Sequence, residues 1–407
     1  MKLNLLQNKL FNRTLLDYLL TFAGSCVSVG VLQLAVYPCL AQTLGSEKYG
    51  TFLTAIAIIN AIIPTFGSTL RNAHIVLYAE YQEAGCSFDD FKRILLCVAP
   101  MISLLTAILL IILFQINILW SILVAFLLFS GIAKAYAIVV FRLPINPKKM
   151  FYVSALSGIG YIIGLPFLNI DGCWVIPFLL SETLGLLYTL KESWEFKHNS
   201  DLSPLLGKAK KTYTVLIASN VVSYCVTYID RFLLYPLFGA AAVSTYYAAS
   251  FIGKACTFFV APFSTVLLSY ISDGKVAVSF KKYNILNFGT MAFAFFSFLL
   301  IALVAPWLTS FLYPSLVESA LPYIYVGNAA SLLYVVNGVN LTIVLKVAPA
   351  RWQLFISAIK LLVYAIVILL SFLFGDLYYF CLGMLFSGLF VFVFTYFVGA
   401  FYIFQNK

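Results

Sequence analysis

Six charged side chains stand where their neighbours should exclude them: Lys134, Glu182, Asp230, Arg231, Lys254 and Lys360 all lie inside long apolar runs. Asp17, Arg71 and Arg142 sit at the ends of such runs. A charge held deep in a bilayer costs a few kcal/mol or more, so it faces a partner or a wet cavity. Ion pairing, for example Glu182 with Lys254, is the plainer reading, but four bases against two acids cannot all pair off. Asp230 and Arg231 are adjacent and point about 100° apart on a helix, so they serve different neighbours. Arginine offers phosphate oxygens a bidentate fork and lysine a mobile point charge. The set therefore suits recognition of a phosphate-bearing anion in an internal basic cavity.

The elements that position these residues follow from composition. Hydrophobic residues make up 63% of the chain and charged residues 10%, with mean hydropathy +1.00. Those values exclude a soluble globular protein, and the continuous apolar runs exclude the short alternating segments of a β-barrel. Runs long enough to cross a bilayer predict helices over 17–40, 50–71, 94–114, 118–141, 151–168 and 173–190. A second set follows at 213–237, 244–270, 284–312, 321–345, 352–374 and 377–404. The expected architecture is an all-α polytopic membrane protein of about twelve spans in two pseudo-symmetric six-helix bundles, residues 1–199 and 200–407. With a rise of 1.5 Å per residue, Lys254 and Glu182 fall near mid-membrane, Lys134 and Lys360 in the inner half, and Arg231 in the outer half.

Loop charge sets orientation. With the N-terminus inside, 20 of the 25 Lys and Arg residues lie in inner segments and one, Lys48, in an outer loop. Both termini are expected to be cytoplasmic. The formal charge of +10 then reflects topology and attraction to anionic lipid heads, not nucleic acid. The two halves also repeat. Residues 35–72 return, weakly, 198 positions later: Tyr37-Pro38 falls on Tyr235-Pro236, Tyr49 on Tyr247, Ala57 on Ala255, Pro64 on Pro262 and Leu70 on Leu268. Six helices per half make the repeat parallel, a recurrent transporter plan. In this register Gln33 falls at the level of Arg231. The four prolines should bend or open their helices. Gly160-x-x-x-Gly164 reads as a helix contact. Tyr246 and Tyr247 read as interfacial anchors, with stacking on sugar rings the alternative.

Other chemistry is poorly supported. The eight cysteines are scattered without a C-x-x-C pair, so packing is expected and a metal site is not. No Gly-rich phosphate loop, Ser/His/Asp grouping or cleavable signal peptide is evident.

The stretch YPCLAQTLGSEKYGTF, through Pro38, Leu40, Ala41, Leu44, Gly45, Tyr49 and Gly50, resembles the first helical hairpin of bacterial polysaccharide (Wzx-type O-antigen) flippases of the MOP exporter superfamily. The segment YIDRFLLYPLFG, with Asp230-Arg231, is similar to that family's start of the second half. The resemblance implies two six-helix bundles around a cavity open alternately to either side, in the bacterial plasma (inner) membrane. It implies transfer of an undecaprenyl (polyprenyl)-diphosphate-linked oligosaccharide from the inner to the outer leaflet, for O-antigen or capsule synthesis. Expected cavity residues are Arg71, Lys134, Arg231, Lys254, Lys360 and Gln33, with Asp230 and Glu182 for ion coupling or pairing. No cofactor is expected beyond a proton or sodium gradient. A monomer is expected, in a pathway with a polysaccharide polymerase and chain-length machinery. The helix-eight sequence FGAAAVSTYYAAS departs from the repeat, because its glycine is shifted relative to helix one.

Two rival classes remain. A polysaccharide polymerase or lipid-linked-sugar glycosyltransferase needs a large outer loop bearing acids or bases, and the outer loops here are short and carry only scattered charges. A MATE-like drug/cation antiporter wants an acidic cavity, whereas the buried balance here is basic.

Overall fold

A computed structural model describes residues 22–24, 26–115, 117–144, 146–170, 173–192, 203–258, 260, 264, 279–349 and 351–405. The described residues are helical nearly throughout: α1 (Phe22–Glu83), α2 (Asp89–Phe114), α3 (Ile118–Arg142), α4 (Pro147–Asn169), α5 (Val175–Glu192), α6 (Leu206–Thr227), α7 (Ile229–Phe238), α8 (Ala240–Ala255), α9 (Phe280–Leu312), α10 (Ile324–Val347), α11 (Arg351–Phe374) and α12 (Leu377–Gln405). Among the described residues eight helices are long and apolar enough to cross a membrane, or nine if the bent pair α6–α7 is one span. Several starts are written locally. Asn117 accepts from the Leu119 N–H, Asn146 from the Lys149 N–H beside Pro147, and Ser279 from the Lys282 N–H. Each such cap satisfies one otherwise orphaned donor.

The 62 residues of α1 would extend about 93 Å if straight, three times the hydrocarbon core. Gly45 divides them, with φ 72° and ψ 174°. Gly239, between α7 and α8, has nearly the same conformation, φ 82° and ψ 175°. Only glycine adopts that region readily. The two turns are thus equivalent in geometry although 194 residues apart, one helical turn short of the 198-residue spacing of the flanking prolines and tyrosines. That is the shift visible in the helix-eight sequence.

Two segments differ from the sequence reading. The helix expected to stop at residue 71 continues to Glu83, so Arg71 lies in its body and not at its end. The helix expected over 213–237 is broken at Tyr228, where α6 and α7 meet at 54°. The break lies eight residues before Pro236. By contrast, Pro38 follows a π-helical stretch, Leu32–Val36, and Pro64 opens another, Pro64–Ser68. In both places the wider turn accommodates the ring and its missing N–H. Pro262 and most of the chain between α8 and α9 lie outside the described residues.

The chain divides into two compact units, one of residues 1–43 and 55–228 and the other of residues 44–54 and 229–407. The expected boundary at 199/200 lies outside the described residues, but α6 beyond it packs with the first unit. The Tyr213 hydroxyl donates to the Phe66 carbonyl at 3.1 Å, and the Asn220 amide to Thr69 Oγ1 at 2.6 Å. In the first unit α4 and α5 meet through glycine. A Cβ at Gly160 would lie 2.6 Å from the Ser181 backbone, and one at Gly164 2.3 Å from Pro177 Cα. In the second unit Asn328 of α10 accepts from the Gly253 N–H at 2.7 Å and donates to the Ala249 carbonyl at 2.8 Å, fastening α8.

Candidate functional site

The second unit gathers four of the predicted residues on α7, α8 and α11. Asp230 and Arg231 start α7, and the predicted divergence is observed. The Asp230 carboxylate takes a 2.6 Å ion pair from Lys254 of α8. Arg231 turns the other way, donating from Nη1 to the Leu53 carbonyl at 3.1 Å, with its guanidinium carbon 5.2 Å from the Tyr247 ring centroid. Asp230 also accepts from the Arg231 backbone N–H at 2.9 Å. Lys254 stands 5.0 Å from the Tyr246 ring. Lys360 of α11 stands 4.8 Å from Tyr334 and 6.0 Å from Tyr364, two rings stacked at 5.7 Å. Tyr334 is fixed in turn by a short hydrogen bond with Ser387.

Of the three cations on these helices, Lys254 alone is paired with Asp230 among the contacts described, and each rests on a tyrosine face. A ring quadrupole stabilises an ammonium or guanidinium without cancelling its charge. The cluster keeps a positive excess that hydrocarbon cannot hold dry. The exposures agree. Asp230 keeps 8% of its side-chain surface accessible, while Lys254 keeps 34% although its partners are buried. The lysine borders open space and the acid lies behind it. Such a surface can take an anionic group through its ammonium groups, in competition with Asp230.

The tyrosines were the signal misread in the sequence. Tyr246 and Tyr247 are buried, with 2% and 3% exposure, and do not anchor the chain at an interface. Tyr247 is met edge-on by Tyr49 at 6.2 Å and by Tyr313 at 6.2 Å. Positions 198 residues apart thus touch, with Tyr49 contributed by the returning segment 44–54.

The first unit holds the other acid. Lys134 of α3 pairs with Glu182 of α5 at 2.8 Å, both side chains mostly buried. This corrects the Glu182–Lys254 pairing expected from sequence: each acid takes the lysine of a helix packed against its own. Lys134 also donates to Ser157 Oγ at 3.3 Å, and Ser157 donates to the Ser181 carbonyl at 3.2 Å. Beside the pair lies a cavity of about 200 Å³, bordered by Ser28, Ser154, Ser157 and Tyr161. Arg71 does not join this group. It is buried and donates from Nη1 to the Ala135 carbonyl at 2.9 Å, near the break in α3 at Ile138, where helix carbonyls lose their own partners. Gln33 lies half-buried in the π-helical stretch of α1. No group of three or more His, Cys, Asp or Glu side chains fit to hold a metal occurs among the described residues.

No protein-family model matches the chain, and no curated protein matches it in sequence. Solved structures do. The inward closed conformation of the lipid II flippase MurJ superposes with a TM-score of 0.71, at 18% identity over 96% of this chain and 87% of that one. A point mutant of the Vibrio cholerae MATE transporter VcmN gives 0.65 at 14% identity over 94% and 96%. A MATE protein in the bent conformation gives 0.60 at 13% over 95% and 94%. The chain therefore shares the fold of these proteins, an all-α multi-pass membrane architecture of about twelve spans.

Proposed function

We propose that this chain is a flippase for polyprenyl-diphosphate-linked oligosaccharides, carrying them by alternating access from the inner to the outer leaflet of a bacterial plasma membrane for surface polysaccharide synthesis. The observation that carries this reading is the positive excess of α7, α8 and α11: Arg231, Lys254 and Lys360 against one carboxylate, Asp230, among the described residues of these helices. A diphosphate crossing hydrocarbon unaided would lose its hydration at prohibitive cost. Fixed cations on tyrosine faces replace that water while the lipid tail stays in the bilayer. The fold supports the reading, since one neighbour is named a lipid II flippase. The MATE likenesses favour a second reading, drug or cation antiport, but a net-positive cluster repels cations. Coupling to a proton or sodium gradient, and hand-over to a polymerase, belong to the same proposal.

The test is export in cells lacking the chromosomal gene. Arg231→Ala, Lys254→Ala and Lys360→Ala should each yield full-length membrane protein and lose at least tenfold in surface polysaccharide. Exposed apolar positions such as Leu303→Ala should retain it. Normal export in all three cation variants would refute the proposal.

A further inference from the structure

The cavity beside Lys134 and Glu182 differs in kind from the cluster of the second unit. Its two charges cancel, so a free anion or cation gains little net Coulomb energy there, and a bare cation would have to displace the Lys134 ammonium from a 2.8 Å pair. Both groups keep spare capacity. An ammonium has three donors, of which Glu182 and Ser157 engage two, and a carboxylate has about four acceptor sites. The hydroxyls of Ser154 and Tyr161 add groups that both donate and accept, while those of Ser28 and Ser157, whose protons go to the Gly24 and Ser181 carbonyls, add acceptors. A neutral field of mixed donors and acceptors, beside the aliphatic walls of Val29, Leu32, Ile138 and Val153, complements a molecule that carries both hydroxyls and C–H faces, a polyol ring. The volume of about 200 Å³ holds roughly six or seven waters at about 30 Å³ each, or one small ring. Gly185 keeps the site open. A Cβ there would lie 2.8 Å from Lys134 Cδ and 2.9 Å from Ser157 Oγ, pressing on both.

We propose that the Lys134–Glu182 cavity of the first unit is a sugar-binding site that takes one uncharged ring of the oligosaccharide, separate from the cations of the second unit that take the diphosphate. This rests on the flippase reading. Lys134 donates to ring hydroxyls and Glu182 accepts from them, so the pair remains intact with ligand bound.

The test is native mass spectrometry of the purified full chain. Two probes are titrated: undecaprenyl diphosphate, and the pool of polyprenyl-diphosphate-linked saccharides extracted from the cells that make this protein. The wild type should bind both, with the saccharide-bearing lipids at least tenfold tighter. The isosteric double variant Lys134→Met/Glu182→Gln and the space-filling Gly185→Ala should lose that tenfold preference while still binding undecaprenyl diphosphate, which also reports that they fold. Lys360→Ala should weaken both probes. An unchanged preference in both first-unit variants, or equal weakening of the two probes, overturns the sugar site and leaves the flippase reading standing. Failure of the wild type to bind either probe overturns the flippase reading itself, and the sugar site with it.

Discussion

At the residue scale, Asp230 tests whether the second-unit cluster is held in balance. Removing it leaves the Lys254 ammonium without its carboxylate. Breaking a fully buried pair typically costs about 3–5 kcal/mol, and the partial accessibility of Lys254 lowers the expectation for Asp230→Ala to about 2 kcal/mol. Asp230→Asn/Lys254→Met should recover most of that loss, because the ammonium stranded by the loss of Asp230 is removed with it. Thermal unfolding of the purified variants measures both. Lys360 behaves differently, because it rests on Tyr334 and Tyr364 and has no ion pair among the described residues. Lys360→Met should therefore unfold no earlier than the wild type while losing substrate binding. The six charges stood out in the sequence by their apolar surroundings. Their pairing was not, because the choice between Lys134 and Lys254 for Glu182 depends on which helices pack together, and spacing along one chain does not contain that.

At the scale of elements, the helices were legible wherever apolar length and a cap agreed, as at α9 with Ser279 and α4 with Asn146-Pro147. They were misjudged where an amphipathic helix outran its apolar stretch. The residues from Arg71 to Glu83 look like a loop in composition, yet Leu77 and Tyr81 bury against Phe91 and Tyr213 and draw the helix onward. The break at Tyr228 carries no sequence mark, having neither glycine nor proline. The glycine turns give a sharper test. Gly45→Ala and Gly239→Ala place a side chain at positive φ with extended ψ and should each cost about 1–3 kcal/mol. Gly289→Ala, in the body of α9 with open space around its Cβ, should gain about 0.5–1 kcal/mol. Chemical or thermal unfolding distinguishes them, and equal effects would contradict the turn assignment. Gly160→Leu, aimed at the Ser181 backbone, should abolish the packing of α4 on α5 and lower the yield of folded protein severalfold.

For the whole molecule, the bias of Lys and Arg predicts a single orientation in the membrane. In a background without native cysteines, Lys48→Cys should react with a membrane-impermeant maleimide added to intact cells, and Lys282→Cys only after the cells are opened. The reverse pattern would invert the topology. The repeat was also readable in outline, because Tyr49 and Tyr247 share a register and prove to touch. The assignment of Leu44–Thr54 to the second unit was not readable, since nothing in that segment's composition marks it as borrowed.

That borrowing has a consequence for biogenesis. Leu53, whose carbonyl receives Arg231, leaves the ribosome some 175 residues before the rest of its unit. At roughly 5–20 residues per second it waits about 10–35 s for its companions. The second unit thus cannot mature as an independent product of the downstream gene segment. Expressed alone, residues 229–407 would present Arg231 without its acceptor and Tyr247 without Tyr49, and supplying the upstream fragment in trans should rescue them.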